Sequence, residues 1–397
     1  MLQIKEKINC SGCYSCVNSC TIKSISMYAD EDGFLYPTID KNKCINCKLC
    51  EKVCPIQSQM TYFNDSFDKL TYGAYSINDE ILKNSSSGGI FHVLAIKILK
   101  SGGVVFGAAF DNNYRKVKHI FITSEDEIYK LRGSKYIQSE IGNNYIYVKN
   151  FLDKGVKVLF SGTPCQIAGL YAFLGKQHKN LYTVDLICHG VPSEKVWNKY
   201  LDYQEYISGS KVKHIDFRNK NNGWKEYSIF IQFSNGRVYK EMYYKDLYMK
   251  TFLSNISLRP SCTSCKFKGE KHVSDITLGD FWGVEKLYPK IFNNKGTSLV
   301  ILNSENGKEL FENISNSIVK LAVDYALATK ENSALLYSVK THPLRNRFFY
   351  DLNHINFNVL VKKYIKTKKT LKEKIANILN KIGLWNVYIS IKDIGQK

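Results

Sequence analysis

Two cysteine runs with one spacing set the terms for this chain. Cys10, Cys13, Cys16 and Cys20 follow C-x2-C-x2-C-x3-C, and Cys44, Cys47, Cys50 and Cys54 repeat it, with Pro55 after the second run. Three thiolates on one tight loop reach three irons of a cubane; the fourth starts the next helix and points to the other cluster. Cys10, Cys13, Cys16 and Cys54 are therefore assigned to one [4Fe-4S] cluster, and Cys44, Cys47, Cys50 and Cys20 to a second. Zinc would need only C-x2-C pairs. Thr21 stands where a proline is expected after Cys20, which alters a bend and removes no ligand. Between the runs, "SISMYADEDGFLYPTI" reads as a hairpin turning at Asp32-Gly33. It is expected to cover the clusters with Tyr28, Phe34 and Tyr36.

The rest of the composition is consistent with a reducing compartment. Eight of the 12 cysteines sit in these metal-type runs rather than in a disulfide framework. The start, "MLQIKEKINC", has no apolar signal-peptide core, and no run approaches the roughly 18–20 apolar residues that span a bilayer. A cytoplasmic protein is expected. The formal charge is +20. Each oxidised cluster with four thiolates carries about −2 and offsets part of it. The remaining basic surface suits solubility, an acidic redox partner, an anionic cofactor or an anionic membrane surface. No nucleic-acid motif accompanies the lysines, so no nucleic-acid partner is expected.

Residues 1–57 thus form the cluster module, and 58–70 have no clear period and read as a linker. From 71 to 335 short apolar runs alternate with helical stretches, a mixed α/β plan. "YGAYSI", "VVFGAAF", "KHIFITS", "VKVLFS" and "LYTVDLIC" read as strands; "GGIFHVLAIKILKSG", "NNYIYVKNFLDKG" and "GLYAFLG" read as helices. Ser124 and Glu127 are spaced as a capping box. A meander through "HIDFR" and "YSIFIQFSNGRVYKEMYY" turns at Asn235-Gly236, and "DITLGD" and "TSLVILN" supply later strands.

Three polar joints interrupt this pattern: Ser85-Ser86-Ser87-Gly88-Gly89 before an apolar helix, Arg132-Gly133-Ser134-Lys135-Tyr136, and Lys295-Gly296-Thr297-Ser298 before a strand. Hydroxyls and free N–H groups at a helix start suit a phosphate, so together the joints suggest a phosphorylated cofactor. Neither G-x-G-x-x-G nor a P-loop is present.

Four cysteines remain. Cys165, in "FSGTPCQIAGL", opens a helix after a strand, where the macrodipole favours a thiolate. Cys188, in "VDLICHGVPS", repeats that arrangement, and ligand sites gather at such strand ends. Cys262 and Cys265 form a C-x2-C pair. Four thiolates complete a third [4Fe-4S] cluster. A zinc site of the same residues, a Cys165 nucleophile with His189, and unrelated cysteines are the rival readings. His189 and His272 are candidate acid/base or tuning groups. Asp280, Phe281 and Trp282 are expected at the wall of this third site.

"SSSGG", "RGSKYIQS", "GTPCQ", "CHG", "CTSCKF", "SDITLGDFWG" and "KGTS", in this order over about residues 70 to 330, resemble the coenzyme F420 hydrogenase/dehydrogenase beta-subunit family. An N-terminal bacterial-type ferredoxin domain with two [4Fe-4S] clusters is common there. The resemblance implies a flavin, FAD rather than FMN, on the central mixed-sheet domain, with the three joints as its contacts. It does not imply a substrate. The expected function is an iron–sulfur flavoprotein oxidoreductase passing electrons between a ferredoxin-like or other redox protein and a small molecule. The alternative is an electron-transfer subunit of a larger redox complex with no substrate of its own.

Residues 336–397 are expected to be a basic helical extension. "NFNVLVKKYIKTKKTLKEKIANILNKIGLW", Asn356 to Trp385, has apolar residues at helical spacing. It suits packing on the core, partner docking or peripheral membrane contact.

Overall fold

The computed structural model describes residues 6–57, 67–270 and 272–365. Within them an N-terminal cluster lobe precedes a mixed-sheet domain, and helices close the chain. Most of the linker, and the tail beyond residue 365 with its membrane-contact reading, lie outside the described residues. Among those described, no helix is long and apolar enough to cross a membrane.

In the lobe, β1 (Ile25–Ala29) and β2 (Leu35–Ile39) pair antiparallel with Ile25 opposite Ile39, as the Asp32-Gly33 turn implies. Asp30 Oδ1 accepts the N–H groups of Asp32 and Phe34, and Gly33 takes φ +85°. The hairpin tip docks on the rest of the protein. Arg345 Nη1 meets Asp32 Oδ2 at 2.8 Å, and Ser193 Oγ donates to the Asp32 carbonyl. A Cβ on Gly33 would lie 2.5 Å from Lys195 Cβ. Gly33→Ala is therefore expected to cost about 1–3 kcal/mol of overpacking beyond the backbone strain. Gly236→Ala is the control, because Gly236 shares φ +85° but has nothing within 4 Å of its Cβ position. Urea unfolding of the two variants separates the clash from the strain.

The hairpin lies against the first cysteine set, but not through the three aromatic residues expected. Tyr28 is exposed, Phe34 is buried against Phe349, and Tyr36 lies under Arg259. Met27 and Pro37 take the place beside the first cysteine set.

The central domain holds β3 (Leu70–Ser76), β4 (Val104–Phe110), β5 (Val117–Ile122), β6 (Ser139–Glu140), β7 (Val158–Gly162) and β8 (Leu181–Leu186). Then come β9 (Val212–Asn219), β10 (Ser228–Phe233), β11 (Val238–Met242), β12 (Ile276–Asp280), β13 (Ser298–Leu302) and β14 (Ile318–Ala322). Nine of these form one sheet in the order β14-β3-β13-β12-β8-β7-β4-β5-β6. The run β12-β8-β7-β4 is parallel, and β13, β3 and β14 return antiparallel. Parallel strands need both faces covered. Val158 and Phe160 of β7 pack under Val148, Ile167 and Leu170, while Leu159 faces Val93, Leu94 and Ile98 of the Ile90–Lys100 helix.

The meander forms its own three-stranded sheet, β11-β10-β9, which turns at Asn235-Gly236 as the sequence implies. Its core, built on Trp197, Tyr200, Phe217 and Tyr248, also buries Phe357, Leu360 and Val361 of the Phe357–Tyr364 helix. The described start of the tail thus packs on the core. The Ser124 capping box does not form. Ser124 Oγ accepts from Asp126 N–H and starts a 3-10 helix, Glu125–Lys130, while Glu127 pairs with Lys130 at 2.6 Å. A capping box appears instead at Thr163 and Gln166, opening the Pro164–Leu174 helix.

Candidate functional site

Cys10, Cys13, Cys16 and Cys54 line one small cavity of about 20 Å³ with Met27 and Pro37. This is the set that the spacing selects, including the fourth cysteine borrowed from the second run. The loops tighten through left-handed residues: Gly12 and Tyr14 in the first run, Asn46 and Lys48 in the second. A non-glycine residue at positive φ carries local backbone strain. Cys13 lies on the Pro164–Leu174 helix at Gly169, where a Cβ would stand 2.9 Å from Cys13 Cβ and 3.1 Å from its Sγ. Burial, with repulsion from neighbouring thiols, pushes Cys13 and Cys16 well above the ordinary thiol range.

Cys20, Cys50 and Cys54 pack against Cys16 and Ile25, so the two sets adjoin. Burial pushes the Cys20 thiol up, but hydrogen bonds from Ser24 Oγ and nearby backbone N–H groups outweigh it and the net shift is downward. Cys47 is exposed. Around it Ile45 is 68% exposed, with Ile22 and Leu49 also at the surface. Lys23, Lys41, Lys43, Lys48 and Lys52 are exposed on the same loops.

The other four cysteines also converge. Cys165, Cys188, Cys262 and Cys265 line a cavity of about 60 Å³. Cys165 follows β7 in the first turn of the Pro164–Leu174 helix, and Cys188 follows β8. The two strands are parallel neighbours, so both cysteines lie at one sheet edge. The Cys188 loop pairs with the C-x2-C segment: Pro192 bridges Leu258, Arg259 N–H donates to the Val191 carbonyl, and Val191 N–H donates to Cys262 Sγ at 3.4 Å. Gly190 permits the approach, since a Cβ there would stand 2.9 Å from Leu258 and 3.3 Å from Cys262. Burial, with mutual repulsion, pushes the Cys165, Cys188 and Cys262 thiols up to about 12. Metal binding would have to displace these protons. Among the described residues, no three Cys, His, Asp or Glu side chains are grouped to hold a single metal ion.

The histidines are committed elsewhere. His189 lines the cavity, but its Nε2 pairs with Asn255 Oδ1 at 2.7 Å. His272 Nδ1 lies 3.1 Å from Asp185 Oδ2, and both side chains are buried. Asp280, Phe281 and Trp282 do not line the cysteine cavity. Asp280 pairs with Arg218 at 2.9 Å and accepts from Trp224 Nε1, Trp282 stacks on Trp224, and Phe281 is core. The aromatic run was turned toward a guanidinium about sixty residues upstream, a contact with no local signal.

That guanidinium belongs with the three joints, which the fold brings together. Ser134 donates to Ser86 Oγ through both its N–H (2.7 Å) and its hydroxyl (2.9 Å). Gly88 N–H donates to Ser298 Oγ, and Ser87 Oγ donates to the Thr297 carbonyl. A Cβ on Gly296 would meet the Ser87 carbonyl at 2.7 Å. The Ile90–Lys100 helix begins at Gly89, which is left-handed and gives no side-chain cap. Ser85 Oγ is buried with no protein partner among the described residues. Lys135 Nζ bonds the carbonyls of Leu131, Arg132 and Gly133, and burial lowers it to about 7. Lys220 Nζ bonds the carbonyls of Leu82, Ser87 and Lys295, and burial lowers it to about 8. Lys295 instead pairs with Asp79 at 2.6 Å. Arg218 and Lys220 were not foreseen. They lie at the end of β9, outside any Gly- or Ser-rich joint.

Rings connect the two places. His189 at the cysteine cavity stacks edgewise on Phe252 (5.1 Å), and Phe252 meets Tyr136 of the second joint (4.8 Å).

The family model for the coenzyme F420 hydrogenase/dehydrogenase beta subunit N-term matches residues 71–143, and that for its C terminus matches 155–324. A 4Fe-4S dicluster domain matches residues 9–58. No curated protein matches the chain. A chain in a xenon-derivatized structure of the F420-reducing [NiFe] hydrogenase complex from Methanosarcina barkeri is similar at 18% identity. That similarity has a TM-score of 0.46 and covers 77% of this chain and 91% of that one. The chain carries a 4Fe-4S dicluster domain and belongs to the coenzyme F420 hydrogenase/dehydrogenase beta-subunit family, whose role is of the oxidoreductase type.

Proposed function

We propose that the chain is an electron-transfer subunit of a larger redox complex, carrying electrons through three adjacent [4Fe-4S] centres. The observation that carries this reading is the shared helix. Cys165 of the third set and Gly169, on which Cys13 of the first set rests, are one turn apart on one helix face. Cys16 in turn packs against Cys20 and Cys50 of the second set. In this reading the first cluster is held by Cys10, Cys13, Cys16 and Cys54, the second by Cys20, Cys44, Cys47 and Cys50, and the third by Cys165, Cys188, Cys262 and Cys265. All twelve ligands are thiols, the donor set of such clusters. Zinc on the last four is the rival.

Electrons enter at the second cluster. Exposed Cys47, flanked by Ile22, Ile45 and Leu49 and ringed by five lysines, fits a small acidic one-electron carrier such as a ferredoxin-like protein. Lys43→Glu with Lys48→Glu is expected to slow cluster reduction by such a carrier about tenfold at low salt and to flatten its ionic-strength dependence. Stopped-flow absorbance is the measurement, with Lys240→Glu, on the separate three-stranded sheet, as control. Equal rates in both variants would place the entry elsewhere.

A second reading, a flavoprotein with its own small-molecule substrate, is favoured by the joints. Half-buried Lys135 and Lys220 are turned toward carbonyls, and the buried Ser85 hydroxyl has no partner among the described residues, which fits an anionic cofactor such as FAD. Ser85–Gly89, Arg132–Tyr136 and Lys295–Ser298, with Arg218 and Lys220, would hold it. A bound flavin supplies the exchange between one-electron and hydride chemistry.

A further inference from the structure

Three arginines of the described residues are buried: Arg218, Arg259 and Arg345. Arg218 is paired with Asp280 and Arg345 with Asp32, both through carboxylates. Arg259 is fully buried, and none of its contacts among the described residues is a carboxylate. Nε donates to the Cys10 carbonyl (2.8 Å), Nη1 to Gln138 Oε1 (3.0 Å), and Nη2 to the Leu35 carbonyl (2.9 Å). Nη2 also lies 3.7 Å from Cys10 Sγ, and the guanidinium stands over the Tyr36 ring at 4.3 Å. Gly12 leaves the room, since a Cβ there would press on Nη1 at 3.0 Å. A guanidinium does not shed its proton, so a buried one needs an anion.

The anions come from both sides. Cys10 belongs to the first set. On the other side the Arg259 carbonyl accepts from Cys262 N–H at 3.0 Å, and the guanidinium charge acts on both Cys262 and Cys165. Thiolate clusters carry net negative charge, and each electron they accept adds to it.

We infer that Arg259 is a shared electrostatic bridge between the first and third centres, a fixed cation that holds both reduction potentials above what their sulfur ligands alone would set. Reduction adds one electron and one negative charge beside the guanidinium and requires no proton. The claim for the third centre rests on the reading above; the claim for the first stands without it.

Anaerobic redox titration of the full chain, followed by EPR, tests this alongside an iron count. Arg259→Gln is expected to lower the midpoint of the first cluster, and of the third, by at least tenfold in the redox equilibrium, about 59 mV for a one-electron couple. The second cluster is expected to move less, and Arg259→Lys to recover most of the loss. If Arg259→Gln sheds iron, Gln138→Glu serves instead. It sets a carboxylate beside Nη1, neutralises the cation in place and lowers the same midpoints with iron retained. An unchanged first-cluster midpoint would overturn the inference. So would equal shifts of every cluster in both the Gln and Lys variants, the mark of general loosening. A chain with about eight irons would instead remove the third centre and leave the first-cluster shift as the test of Arg259.

Discussion

Asp280→Ala is expected to destabilise the chain by about 3–5 kcal/mol, because it leaves a buried guanidinium without its counter-charge. Arg218 meets both oxygens of Asp280, at 2.9 and 3.3 Å, while its guanidinium lies 4.0 Å over the Tyr227 ring. The same carboxylate accepts from Trp224 Nε1 at 2.8 Å. Alanine removes all three bonds and leaves the cation among aromatic rings. Asp280→Asn keeps an acceptor for Trp224 and is expected to fall between the two. The double variant Arg218→Met with Asp280→Leu is expected to cost less than Asp280→Ala alone, since no buried charge remains unpaired. Urea unfolding of the three variants checks the order. A double variant worse than the single would show that the pair serves packing rather than charge balance.

Cys262→Ala carries the second large effect. Its sulfur accepts the Val191 N–H, and the four thiols around it share one cavity. If they hold one cluster, removing a ligand is expected to release the whole centre, with iron falling from about twelve to about eight per chain. The EPR signals of the two N-terminal clusters are expected to persist. Cys188→Ala and the pair Cys262→Ala with Cys265→Ala are expected to give the same iron count, because ligands of one centre act as a unit and their losses do not add. Successive, partial losses would mean that the four are independent thiols.

What was legible in the sequence was local. Cluster-type cysteine runs are recognised by spacing because three cysteines of each run share one loop, and Cys54 lines the same cavity as Cys10, Cys13 and Cys16. The turns at Asp32-Gly33 and Asn235-Gly236 are written in their glycines, which adopt φ +85°. The convergence of Cys165 and Cys188 followed from two strand ends, and β7 and β8 are indeed neighbours. What escaped was set by contacts distant in the chain. Nothing near Phe34 says that it will leave the clusters for Phe349, and nothing near Asp280 says that Arg218 will claim it. Glu127 had two local uses and took Lys130 over the cap. Arg259 looked like one basic residue of many; its burial, and contacts that among the described residues include no carboxylate, appear only once the lobe is docked.

In the reading proposed above, twelve thiols hold three clusters. Iron, acid-labile sulfide and zinc, measured per chain on anaerobically purified full-length protein, test it most directly. About twelve irons, an equal amount of sulfide and no stoichiometric zinc are expected. About eight irons with one zinc, or eight with neither, would contradict it.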